Sequence, residues 1–95
     1  MATNKNEKII TVLRALAEQY TLTKEEQEIR AKQKIKELEM KNFRAVAYNK
    51  AADAVSLYPV EITSGQQALK IQNIGPKISQ VIQEVITTGT TKLLN

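Results

Sequence analysis

Cysteine and histidine are both absent from this chain of 95 residues. Their absence excludes disulfides, zinc sites built on Cys and His, thiol nucleophiles and imidazole general bases. Small secreted domains often need disulfide staples, so an intracellular location is expected. Aromatic residues are few, three Tyr and one Phe, so the core must come from Ile, Leu, Val and Ala. No apolar run approaches the ~20 residues of a membrane span, and the charged N-terminus lacks a signal-peptide core. No membrane partner is expected.

The length fits one domain, residues 1–95, with a modest core and no room for a deep enzyme cleft. A monomer is expected. The net charge of +4 is a mild pointer to an anionic partner. Its placement says more. Residues 1–22 carry three basic and two acidic groups, and residues 23–40 carry five of each. Residues 41–95 carry six basic against three acidic, so most of the excess is C-terminal.

Apolar periodicity predicts an all-α chain without repeats. Ile9, Leu13, Leu16 and Tyr20 form one stripe of a first helix over residues 5–20, with Thr3 or Asn4 available to cap it. Thr23-Lys24-Glu25-Glu26 reads as a capping box that restarts a helix. Residues 24–40 are dense in charge, with only Ala31, Ile35 and Leu38 as a thin stripe. Glu26–Arg30 and Glu28–Lys32 are attractive i,i+4 pairs and Arg30–Lys34 a repulsive one. A solvated helical extension is expected there, with a coiled-coil or partner-docking helix as the alternative. A packed helix follows over residues 42–57, with Ala47, Ala51, Ala54, Val55 and Tyr58 on one side, and Pro59 stops it.

The C-terminal third holds the informative motif. Ser64 and Gln67 have capping-box spacing at the start of a short helix over residues 65–70. Ile71-Gln72-Asn73-Ile74-Gly75 is a tight connection in which Asn73 and Gly75 tolerate positive φ and Ile74 can plug the gap between helices. Pro76 suits the first position of a last helix over residues 76–87, with Ile78, Val81, Ile82 and Val85 inward and Gly89 as the stop. The backbone N–H groups of Gly75, Lys77 and Ile78 then face outward at a positive helix end, which is an anion site. Lys77 adds a full charge, and Lys70 lies nearby on the first helix. A plain helical hairpin whose glycine serves only the turn is the bland alternative. The combined pattern points to a compact helical bundle ending in a helix-hairpin-helix that grips phosphates of DNA with little base specificity.

Residues 42–52, Tyr58-Pro59, residues 62–65, Ile74-Gly75-Pro76-Lys77-Ile78, residues 82–85 and Thr88-Gly89 resemble the N-terminal domain of family X DNA polymerases, the relatives of polymerases beta and lambda. The resemblance covers about residues 4–22 and 41–95, and makes the charged stretch 23–40 an insertion. It implies that the domain holds the downstream 5′-phosphate at a DNA gap or nick, in repair or replication. Arg44, Tyr48 and Lys77 fall on phosphate-contacting positions, and Phe43 falls where a ring stacks on a template base. A further family lysine is replaced by Leu69, with Lys70 adjacent. The resemblance also implies a monovalent cation, Na⁺ or K⁺, on the carbonyl oxygens of Leu69, Ile71 and Ile74. The DNA-contacting set is thus Phe43, Arg44, Tyr48, Lys70, Asn73, Gly75, Lys77 and Ile78.

One departure bears on chemistry. Many family members use a last-helix lysine to form a Schiff base with deoxyribose 5-phosphate, and that position is Val81 here. The polymerase catalytic domain is also absent from this chain. The expectation is a non-enzymatic DNA-binding module, DNA-associated, and nuclear if the source is eukaryotic. Two alternatives stand beside it: a lyase that uses Lys77 or another amine in place of the missing lysine, and a protein-interaction module in which residues 23–40 dock on a repair or replication partner.

Overall fold

The computed structural model describes residues 6–95, so the expected first turn at Lys5 and the caps Thr3 and Asn4 fall outside the described part. Five helices follow in order: α1 Glu7–Tyr20, α2 Lys24–Lys32, α3 Lys36–Leu57, α4 Gly65–Ala68 and α5 Pro76–Thr88. Among the described residues there is no strand, and no helix is long and apolar enough to cross a membrane.

The core lies where α1 packs along the C-terminal half of α3 and also meets α5, with α4 against α5. Helix α1 buries Ile9, Val12, Leu13, Leu16 and Ala17, a face that repeats at three and four residues. Opposite it, Ala51 and Ala52 are fully buried, and their small side chains let α1 come close. The inward face of α3 is Ala45, Tyr48, Ala51, Ala52 and Val55. Ala47, Ala54 and Tyr58 are half-buried on its flank rather than central as the spacing suggests. Tyr48 is the largest side chain of this face, which centres on the fully buried Ala51, Ala52 and Val55.

Asn6 stands at the start of α1 but its side chain does not cap that helix. It is buried, with Nδ2 donating to the Val60 carbonyl at 3.0 Å and Oδ1 accepting the Ile62 N–H at 2.8 Å. The extended connector after Pro59 is thereby pinned to the beginning of the chain, and Ile62 enters the core.

The charged insertion departs from a single helix over residues 24–40. Helix α2 ends at Lys32, Gln33 and Ile35 are extended, and α3 starts at Lys36 and runs unbroken through residue 42 to Leu57. Two ion pairs explain the reversal. Lys41 Nζ lies 2.8 Å from Glu26 Oε1, and Arg30 Nε lies 3.0 Å from Glu39 Oε1. Fifteen residues of straight helix would separate Glu26 and Lys41 by about 22 Å, so the break is required for them to meet. These cross-helix pairs replace the expected pairing of Glu26 with Arg30 along α2. The Thr23–Glu26 capping box forms as expected, with bonds of 3.1 and 3.0 Å. No residue of α2 is buried.

Helices α4 and α5 make the hairpin. Ser64 Oγ accepts the Gln67 N–H at 3.1 Å, but Gln67 Oε1 accepts from the Thr63 N–H, one residue beyond the expected reciprocal bond. The helices approach at Gly65, where an added Cβ would lie 2.6 Å from the Ser79 carbonyl oxygen. Its N–H donates to Gln83 Oε1 of α5 at 2.9 Å. Gly89, at φ 88°, closes α5 in the left-handed region. Beyond it, Glu84 accepts from the Thr91 hydroxyl at 2.6 Å and the Lys92 N–H at 3.1 Å. Gln19 of α1 donates to the Leu93 carbonyl and accepts from the Asn95 N–H.

Candidate nucleic-acid interface

An open groove of about 1120 Å³ runs between the N-terminal half of α3 and the start of α5. From α3 it receives Phe43, Arg44 and Tyr48, and from the hairpin Asn73, Gly75, Lys77 and Ile78. Seven of the eight residues expected to contact DNA are therefore brought to one surface. Lys70 is exposed but stands outside the groove.

The hairpin side is built by the turn. Asn73 has φ 72°, the left-handed conformation expected of it. Gly75 does not: its φ of −93° and ψ of −176° are extended. Its conformation does not require glycine, and a Cβ there would meet nothing within 4 Å. What the missing side chain provides is open access to the backbone at the helix start. Ile74 is buried and plugs the hairpin as expected. Pro76 occupies the first position of α5, and the first helical bond runs from the Ser79 N–H to the Gly75 carbonyl at 2.9 Å. The N–H groups of Gly75, Lys77 and Ile78 have no acceptor among the described residues. Together with the helix dipole they form a positive, donor-rich end beside the Lys77 ammonium.

The α3 side is organised by an aromatic stack. Tyr48 is buried and stacks on Tyr20 of α1 with ring centroids 5.9 Å apart and planes 14° from parallel. The Arg44 guanidinium sits 5.6 Å above the same Tyr20 ring, a cation–π contact that restrains an otherwise exposed side chain. Burial pushes the Tyr48 phenol up, and Tyr20 adds to the shift against a smaller opposing pull from Arg44. The phenol therefore stays protonated at neutral pH and can donate a hydrogen bond. Phe43 points outward and is 71% exposed, which rules it out of the core.

The structure adds residues that the sequence pattern left out. Arg30, Lys36, Glu39 and Met40 come from the insertion and line the groove, joined by Asn42 and Val46. The groove thus holds four cations, Arg30, Lys36, Arg44 and Lys77, against one carboxylate, and that carboxylate pairs with Arg30. The usable signal was the lack of any Gly or Pro between Lys36 and Leu57, which lets one helix carry the insertion into the site.

The expected cation ligands lie in the α4–α5 connection and the end of α4. Leu69 is exposed, Ile71 half-buried and Ile74 buried. The Ile71 carbonyl accepts the Ile74 N–H at 3.2 Å and keeps one lone pair. The carbonyls of Leu69 and Ile74 take no N–H among the described residues. Side chains offer no alternative, because no group of acidic residues able to hold a metal occurs among the described residues. Val81 is buried in the core on the inward face of α5 and does not line the groove.

The sequence matches the description of a helix-hairpin-helix domain over residues 4–91. It is also 32% identical over 91 residues, 95% of this chain, to DNA polymerase IV of Saccharomyces cerevisiae, of which it spans 13%. Both matches are consistent with the resemblance to the N-terminal domain of family X DNA polymerases. With the α4–α5 hairpin in place and the match running through nearly the whole length, the chain belongs to the helix-hairpin-helix domain family.

Proposed function

We propose that this domain binds DNA without regard to base sequence, engaging gaps or nicks that carry a 5′-phosphate, and serves in DNA repair or replication. The observation that carries the reading is the convergence of unpaired N–H groups at the start of α5 with Lys77, Arg44 and Tyr48 on one groove. Such a set is complementary to a terminal phosphate dianion and reads no base edge. The open backbone at Gly75 supports close approach of a phosphate oxygen. The relative's name, a DNA polymerase, agrees with a polynucleotide ligand. The protein is taken to act as a DNA-associated monomer, nuclear in a eukaryote, with a repair or replication protein as a further partner. Fluorescence anisotropy on matched gapped DNAs, with and without the 5′-phosphate, tests it. Tighter binding of the phosphorylated form is expected. Lys77→Glu should weaken binding on every sequence and lower the log–log salt slope by about one or more. Equal affinity for both DNAs would remove the phosphate pocket.

A monovalent cation belongs to the same reading. The carbonyls of Leu69, Ile71 and Ile74 fit it chemically, since hard cations take oxygen ligands and two of the three have no N–H partner. The ion would bridge the turn to a DNA phosphate. Replacing K⁺ by a bulky organic cation at fixed ionic strength should weaken DNA binding, and unchanged affinity would exclude a role for the ion.

A further inference from the structure

We infer that residues 30–40 extend the groove into a subsite for the unpaired template strand of a gap, by placing Lys36, Met40 and Arg30 in line with Phe43. The inference rests on the DNA-binding reading above and assigns a task to the insertion.

Three large apolar side chains stand exposed at successive helical turns of α3: Met40 at 47%, Phe43 at 71% and Val46 at 42%. All three line the groove, and none is covered by another part of the chain. Leaving such surface in water is unfavourable by about 25 cal/mol per Å², so an occupant with apolar faces is favoured. Lys36 lies one turn before Met40, and Arg30 reaches the same wall from α2. An occupant that fits offers apolar faces and anions together, and the one ring of the strip, Phe43, favours flat faces. Paired duplex DNA hides its base faces within the stack. An amphipathic acidic helix offers anions but no flat rings. Single-stranded DNA offers both, and stacking on exposed side chains is how sequence-independent single-strand sites gain affinity.

The dimensions agree. Lys36 to Phe43 spans seven residues of helix, about 10 Å, which is the rise of about three stacked nucleotides. The strip begins beside Arg44 and runs back along α3 to Lys36. With the 5′-phosphate of the downstream strand held at the start of α5, the template strand opposite it would lay its unpaired bases along Phe43 and Met40 and its backbone on Lys36.

The test uses the full chain with fluorescent DNAs that carry a 5′-phosphate and either a one-nucleotide or a six-nucleotide gap. The double variant Lys36→Ala/Met40→Ala changes only exposed side chains, and matched thermal melting confirms an intact fold. It should bind the six-nucleotide gap about five- to tenfold more weakly and the one-nucleotide gap nearly as the parent does. On the long gap its log–log salt slope should fall by about one. Lys36→Arg should restore that slope. Unchanged affinity on the long gap would overturn the subsite and point to a protein helix as the occupant of the strip. Equal loss on both gaps would also overturn it, by making the insertion a general electrostatic contact. The two readings fail differently. If the parent chain binds neither gapped DNA, the DNA reading itself falls and the subsite with it. If the parent binds both and the double variant matches it, only the subsite falls.

Discussion

Phe43 and Tyr48 lie five positions apart on one helix and have opposite fates. Tyr48 is sealed against Tyr20, whereas Phe43 stands in solvent at the groove. Five positions are about 140° of helix, so Tyr48 shares the face of Ala51, Ala52 and Val55, which α1 covers, and Phe43 does not. Tyr20 was legible as a core residue, yet it also supports Arg44 and Tyr48 at the site, a role visible only once α1 and α3 are packed. Lys77 and Val81 divide in the same way. They are one turn apart on α5, but Lys77 is exposed at the groove and Val81 is 5% exposed in the core. A lyase needs an unprotonated amine at the sugar, and the phosphate proposed to bind Lys77 would favour its charged form. We therefore propose that the domain gives no efficient borohydride-trapped adduct with pre-incised abasic DNA. A strong adduct lost in Lys77→Ala would overturn that proposal and make Lys77 the nucleophile. Val81→Lys tests the buried position itself. It should lower stability by on the order of 3 kcal/mol, read as a fall in melting temperature, because the ammonium would enter an apolar site without a partner.

At the level of elements, the strongly periodic helices were legible and the insertion was not. The stripe of α1, the caps at Thr23 and Ser64, Pro76 at the start of α5 and Gly89 at its end all act through contacts within a few residues. The break at residues 33–35 and the fusion of residue 36 onward into α3 depend on ion pairs between positions nine and fifteen residues apart. Such pairs leave no mark in a helical period. For the same reason α2 should respond to pH as no core helix does. The Lys41 hydrogen bond, helped by the Thr23 N–H, holds the Glu26 carboxyl below its ordinary value of 4.5. A lowered value in the folded state means that the stabilisation is complete above the ordinary carboxylate range and is lost as pH falls through the lowered value. Acidification below 4.5 should therefore loosen α2 from α3 while α1 and α5 hold. Amide chemical shifts followed during an acid titration would read this. Glu26→Gln should remove the α2 transition, and simultaneous loss of α1 and α5 signals would contradict it.

The whole molecule has two parts held by different forces. Its Cα radius of gyration is 14.4 Å, against about 12 Å for a compact chain of this length, and it extends 44 × 29 × 25 Å. The buried cluster draws on α1, α3, α4 and α5, while α2 contributes no buried residue and is tied to α3 through charged groups. The edge of the groove that Arg30 supplies is therefore fastened by Coulomb attraction, which salt screens, whereas the α3 and α5 walls rest on apolar burial, which it does not. Arg30 is where this matters most, because it is both a fastener of the wall and a cation of the groove. Its guanidinium is bonded to Glu39 through Nε and Nη2 and keeps the Nη1 edge for a phosphate, so two anions would share one positive charge. A phosphate there meets a charge that Glu39 already half-neutralises, and the two anions weaken each other's hold. Arg30 thus couples two equilibria: each phosphate it accepts weakens the hold of α2, and each return to Glu39 lowers the pull on the ligand.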